Sequence, residues 1–316
     1  MTIEFHKFSS IENSYRKKYI EILEEHKYTN FAYAVTEKLD GANLSFWTDG
    51  NEVKVASRSQ FVDSGFYNCG EVIERYSDIV KKIKNENFDT AEVMVIYGEL
   101  IGPGIQKRIY YGKEKDFFAF EIAVDKTTLS VKHFNSIIVK YIIPGVPQIG
   151  IYESLDDALK VNNTFTSNAY KSAYNYNNEE YTKENIAEGV VIQPYYEPLR
   201  TGNGSRVIIK NKNEKFAEKG RKRKNKTKSP PNPFISAVEV YVTENRMHNV
   251  ISKFGEVQQK DFGKIIGLMN ADVIEEMIRD DEIPGDWKKH EKYKLFGKAC
   301  STVVSKFLKE NLLKEI

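Results

Sequence analysis

The chain has 316 residues, 41% hydrophobic and 29% charged, with a formal net charge of +2. That length accommodates one large domain and a small one, and the composition excludes an intrinsically disordered chain. No apolar run reaches the roughly 18–20 residues of a membrane helix, which excludes a helical integral membrane protein.

In chain order, the opening MTIEFHKFSS lacks the charged-then-apolar pattern of a signal peptide. An intracellular, reducing compartment is therefore expected, not secretion. Helical periodicity runs from Ile11 to Leu23 and again between Gly70 and Ile83. Between them ANLSFWTDGNEVKVAS reads as a β-hairpin, with apolar positions alternating on either side of Asp49-Gly50. AEVMVIYGEL, KDFFAFEIAV, EGVVIQP and SRVIIKNK are short runs rich in β-branched and aromatic residues, and are expected as strands. The stretch from Asn162 to Asn185, rich in Asn and Tyr, reads as a surface loop with some helix. Cys69 and Cys300 have no metal-like spacing and read as ordinary buried or half-buried thiols.

Charge is unevenly distributed. From Lys215 to Lys228 eight basic residues face one acid, Glu218, and Pro230, Pro231 and Pro233 follow. Such a segment has little apolar area to bury, its like charges repel, and its prolines forbid a continuous helix. It reads as an exposed linker, residues 215–233, between a domain of residues 1–214 and one of residues 234–316. A cationic run also attracts phosphate backbones non-specifically. Beyond it the pattern becomes helical: NADVIEEMIRD and KLFGKACSTVVSKFLKENLL place apolar residues at helical spacing. The expectation is an α+β domain followed by a small helical one.

The chemistry begins at Glu37-Lys38-Leu39-Asp40-Gly41. A lysine is a nucleophile only with a neutral amine, which requires desolvation or neighbouring cations. A hairpin turning at Asp49-Gly50 returns Arg58 level with the Lys38–Gly41 end, where a guanidinium can hold a phosphate or a ribose. Glu99, in Tyr97-Gly98-Glu99, closes a strand ahead of a Gly102-Pro103-Gly104 loop, and Glu188 opens another. Lys210 and Lys212, two apart on a strand, share one face. Two such lysines repel unless an anion lies by them, and a triphosphate would serve. Each residue alone has a dull reading as a solvated charge or a turn; the ordered set is what is specific.

That order resembles the covalent nucleotidyltransferases, the superfamily of ATP-dependent ligases and capping enzymes. Its strings here are EKLDG, SR, YGE, FFAF, EGVVI and IIKNK. Within it the chain is most similar to the phage RNA ligase 2 type, which includes the kinetoplastid RNA-editing ligases. FSSIENSY, YGELIGPGIQK, RVIIKNKNEKF and VTENRMHNVISKFGEVQQKDFGKIIGL carry that likeness. The resemblance implies a nucleotidyltransferase domain of twisted antiparallel sheets with flanking helices. It implies that Lys38 carries AMP, that Glu37 and Leu39 flank the adenine, and that Asn43 and Arg58 contact the nucleotide. Glu99 would bind the ribose, Phe120 stack on the purine, and Val191 line the adenine pocket. Glu188 would help place a metal or make a step-specific contact, and Lys210 and Lys212 would touch the α-phosphate. Arg206 and Arg246 would contact nucleic acid. ATP with Mg²⁺ or Mn²⁺ is the implied cofactor set. The implied partner is nicked duplex RNA, or an RNA/DNA hybrid, sealed by a monomer in the cytoplasm or another host or viral intracellular setting. Two positions depart from the pattern: relatives often carry Lys-x-His-Gly where Asp40 stands, and a lysine in place of Gln193.

Two other readings compete. A capping enzyme or DNA ligase would carry a small β-barrel after the Lys-x-Lys strand, against the helical pattern seen here. A non-catalytic RNA-binding protein would explain the basic run and the aromatic strands as stacking platforms, but not the ordered charged set.

Overall fold

The computed structural model describes residues 3–169, 185–220, 232–255 and 257–312. Two compact units divide the chain, Met1–Lys215 and Phe216–Ile316.

Among the described residues the first unit holds two sheets. One has five strands in the order β1-β11-β10-β2-β9: β1 (Glu12–Asn13), β2 (Tyr33–Lys38), β9 (Gln148–Tyr152), β10 (Gly189–Pro194) and β11 (Ile209–Lys212). The other has six in the order β5-β4-β3-β6-β7-β8: β3 (Ala42–Thr48), β4 (Val53–Ala56), β5 (Phe61–Val62), β6 (Met94–Ile101), β7 (Asp116–Val124) and β8 (Thr127–Thr128). Their pairings are antiparallel apart from β1 with β11. Successive side chains point to opposite faces of each sheet, and the central strands β2, β3 and β6 are buried on both. In the five-stranded sheet Tyr33, Val35, Val190, Ile192 and Ile209 pack in one core with Leu23 of α1 (Lys17–Glu25) and Leu155 and Ala158 of α4 (Leu155–Leu159). In the six-stranded sheet Leu44, Phe46, Ile96, Leu100 and Phe117 pack with α2 (Gly70–Asn87) and α3 (Val131–Lys140). The other face of the six-stranded sheet packs Trp47, Val95, Tyr97 and Ala123 with Ile3 and Phe8.

The sequence expectation of a helix from Ile11 requires correction. The helix begins at Lys17, and Glu12 and Asn13 instead pair with Ile209 and Lys210. The free edge of β11 offers unpaired backbone groups, and joining it satisfies them better than one more helical turn.

The second unit is helical: Ile235–Tyr241, Glu244–Phe254, Phe262–Arg279 and Tyr293–Asn311. Its core gathers Val238, Met247, Val250, Ile265, Met269, Val273, Trp287, Phe296 and Val304. Thr243 caps the second of these helices by accepting the Arg246 N–H at 3.2 Å. Most of the expected basic linker, 221–231, and the tract 170–184 lie outside the described residues. The described flanks of that linker are bonded into the second unit: Ala217 O accepts from Asn245 Nδ2 at 2.9 Å, Gly220 N donates to Val240 O at 2.7 Å, and Asn232 Nδ2 donates to Leu295 O at 2.7 Å.

Candidate active site

Lys38 is the last residue of β2, and β3 begins at Ala42. Leu39, Asp40 and Gly41 therefore form the joint by which the chain passes from one sheet to the other. Register puts Lys38 opposite Gly189, Thr36 opposite Val191, Val191 opposite Lys210 and Gly189 opposite Lys212. These residues lie on the face away from the Val35–Ile192 core, so Lys38, Val191, Lys210 and Lys212 share one surface. Gln193 shares it too. From the six-stranded sheet, Asn43 and Glu99 are a directly opposed pair on the face away from its core.

Glu188, 1% exposed, ties the cations together. Its Oε2 accepts from Lys38 Nζ at 2.7 Å and its Oε1 lies 2.7 Å from Lys212 Nζ. Burial alone would raise its pKa, but Lys212 and Lys38 outweigh it and hold Glu188 below the usual carboxylate range. Glu99 accepts the Gly41 N–H at 3.1 Å. Burial pushes its carboxyl up to about 8, against the pull of Lys38. Asp40, 2% exposed, accepts from Arg108 Nε at 2.9 Å, and its N–H donates to the Tyr111 hydroxyl at 2.9 Å. Burial and Glu188 raise its pKa, while Arg108 and Lys38 pull it back.

Two motif glycines are required by close approach. A Cβ on Gly41 would stand 2.3 Å from the Leu100 carbonyl oxygen. Gly189 has φ +147° and a Cβ there would meet the Asn211 carbonyl oxygen at 2.2 Å. So the residues that flank the charged side chains are fixed by sheet packing.

The other expected residues fall as follows. Glu37 turns its carboxylate away from Lys38, accepting from Ser167 Oγ at 2.5 Å and from the N–H groups of Asn168 and Ala169 at 2.7 and 3.3 Å. Leu39 is buried at 3%. The β3–β4 ladder ends at Ser45 opposite Ala56, and Arg58 lies two residues further toward Asn43, donating to Ser10 Oγ at 3.4 Å. Phe120 is the extra residue of a bulge in β7 and packs its ring 5.4 Å from that of Phe8. Asn43 Oδ1 is buried with no hydrogen-bond partner among the described residues. A lone buried acceptor of this kind costs about 1–3 kcal/mol, so it suits a ligand donor.

Two residues expected as nucleic-acid contacts lie buried in internal ion pairs. Arg206 forks onto the buried Glu121, one Nη donating to Oε1 at 2.9 Å and the other bonding Oε2, with its guanidinium 5.5 Å from the Phe8 ring centre. Arg246 is 1% exposed, donating to Tyr241 O at 2.7 Å and Asp272 Oδ2 at 2.5 Å. Both guanidinium groups serve internal carboxylates and hold their units together, because an arginine this deep needs its charge matched. The site partners that sequence reasoning missed are Arg108, Tyr111 and Glu121, each remote in sequence from what it binds.

The profile of the RNA ligase family matches residues 31–212, spanning every residue of this charged cluster and, apart from β1, both sheets. The chain belongs to the RNA ligase family. The T4 RNA ligase 2 C-terminal profile matches residues 225–312, which makes the family member one of the T4 RNA ligase 2 type. Among solved structures, a lysine-to-alanine mutant of the Naegleria gruberi RNA ligase with ATP and Mn superposes with a TM-score of 0.50 at 17% identity. That match covers 68% of this chain and 59% of that one. An aspartate-to-alanine mutant of the same ligase, apo, gives 0.50 at 18%, covering 68% and 58%. At these identities the likeness is one of fold, and this chain spans under two thirds of those proteins. Among the described residues no helix is long and apolar enough to cross a membrane.

Proposed function

We propose that this family member is an ATP-dependent RNA ligase that carries AMP on Lys38 and seals 3′-OH/5′-phosphate nicks in duplex RNA or RNA/DNA hybrid. The observation that carries this reading is the gathering of Lys38, Glu188 and Lys212 within 2.7 Å contacts on one sheet face, beside Glu99 and Asn43 from the other sheet. The Naegleria gruberi ligase of like fold was solved with ATP and Mn.

In the first step the Lys38 amine attacks the α-phosphorus of ATP, the P–N bond forms and pyrophosphate leaves. Glu188, held ionised by two cations, is too weak a base to take the lysine proton. It keeps Lys38 aligned and remains paired with Lys212 once the amine is spent. In the second step a 5′-phosphate oxygen of the RNA attacks the same phosphorus, breaking the P–N bond to give a 5′–5′ pyrophosphate end. In the third a 3′-OH attacks that end and AMP leaves. Each step builds charge on non-bridging oxygens, which Lys210 and Lys212 oppose electrostatically.

Val191 and Phe120 would line the base, Glu99, carrying a proton near neutral pH, would donate to a ribose oxygen, and Asn43 and Arg58 would hold the nucleotide. Among the described residues no three His, Cys, Asp or Glu side chains converge to cage a metal. Glu188 is the carboxylate that would help hold a divalent ion beside the nucleotide. When bound, such an ion neutralises phosphate charge.

Incubation with α-labelled ATP and Mg²⁺ tests the assignment. The wild-type chain is expected to become labelled, GTP is expected to fail, and Lys38→Ala is expected to abolish the adduct. Labelling that survives in Lys38→Ala would sink it.

A further inference from the structure

The loop from Gly102 to Gly112 follows Glu99 and has no part in the chemistry above, yet it is tied down at consecutive points. Arg108 takes Asp40 with a two-armed grip, Nε on Oδ2 at 2.9 Å and Nη2 on Oδ1 at 2.5 Å. The Tyr111 hydroxyl accepts the Asp40 N–H at 2.9 Å. Between them, Tyr110 N donates to Asn185 Oδ1 at 3.3 Å, and Tyr110 O accepts from Asn185 Nδ2 at 3.2 Å. Ile105 and Ile109 are buried beneath, at 8% and 3% exposed. The loop is thus bolted to a residue two beyond Lys38 and to one three before Glu188, the two members of the central ion pair.

We propose that Arg108 is a positioning residue for the lysine nucleophile, fixing Asp40 and through it the joint that sets the direction of Lys38. This rests on Lys38 being the AMP carrier. The joint is what makes the pair more than a structural ion pair. Leu39, Asp40 and Gly41 stand between the two ladders, and their described polar contacts come from Arg108, Tyr111 and Glu99. The Asp40 side chain is 1% exposed and lies among the charges of Glu188 and Lys38. Without its fork, that carboxylate must move or take up a proton, and Lys38 moves with the backbone. A planar guanidinium supplies both arms at once; an ammonium supplies charge without the fork.

Single-turnover labelling with α-labelled ATP and Mg²⁺ separates positioning from folding, because misplacement slows the rate constant while misfolding lowers the amount labelled. Arg108→Met is expected to slow adduct formation on the order of 10²-fold at saturating ATP, with full amplitude and little change in KM for ATP. Arg108→Lys should fall between. Asp40→Asn with Arg108→Met should regain part of the rate, since no unpaired carboxylate remains. A wild-type rate constant in Arg108→Met, or a loss confined to amplitude, overturns the proposal. If Arg108→Met does not fold, Arg108→Lys decides: an unchanged rate constant overturns the proposal and a slower one supports it. Labelling of Lys38→Ala in the same assay would instead overturn the reading of the nucleophile.

Discussion

Glu99 shows how one residue couples chemistry to stability. Its carboxyl is pushed up to about 8 by burial, whereas an unfolded chain releases that proton near the ordinary glutamate value. Between those values the folded state holds a proton that the unfolded state has given up. Stability must therefore fall as pH rises through that window, by at most about 1.4 kcal/mol per unit, and level off above it. Glu99→Gln removes the titration and should flatten the slope in the nucleotide-free protein. Chemical denaturation of both proteins at pH 5, 7 and 8.5 checks this; parallel pH profiles would mean that Glu99 is already ionised in the fold. Glu188 behaves in the opposite sense, because its two lysines keep it ionised and its pairing is lost only in strong acid.

At the scale of elements, what was legible in the sequence was what is local. The Asp49-Gly50 hairpin, the strands around Glu99, Phe120, Val191 and Lys210, and the apolar stripes of the C-terminal helices follow from periodicity and turn chemistry within a few residues. The helix predicted from Ile11 failed because a distant strand edge, β11, competes for Glu12 and Asn13. Charged residues are commonly surface groups. Arg206 is not, because its partner Glu121 stands 85 positions away. Their side chains are 10% and 6% exposed, and the pair fastens the approach to β11 onto β7. Arg206→Met strands a buried carboxylate and should cost roughly 3–5 kcal/mol, with Glu121→Gln in the same chain recovering part of it. Urea unfolding midpoints measure this. A loss below about 1 kcal/mol, alongside weakened RNA affinity, would return Arg206 to the role of an exposed RNA contact.

For the whole molecule, the decisive fact is that among the described residues each unit has hydrophobic clusters of its own. Those around the two sheets draw their residues from positions up to Ile209, and the helical cluster draws its own from Phe234 onward. Each unit therefore has a core of its own and can stand alone. The proposed chemistry falls to the first unit: Lys38, Glu99, Glu188, Lys210 and Lys212 all precede the boundary at Lys215. Arg246, with its charge matched by Asp272, keeps the helical unit folded and supplies no catalytic group. A chain ending at Lys215 should then fold and label Lys38 from α-labelled ATP at near the full rate. It should lose about tenfold or more in sealing a nicked RNA duplex, the equivalent of about 1.4 kcal/mol or more of substrate grip. Supplying a 5′-adenylylated strand tells the two deficits apart, since a defect in RNA engagement persists when the first two steps are bypassed. Equal sealing by the truncated chain would show that the helical unit is dispensable for substrate. Loss of labelling together with sealing would show that the charged cluster needs the second unit to assemble.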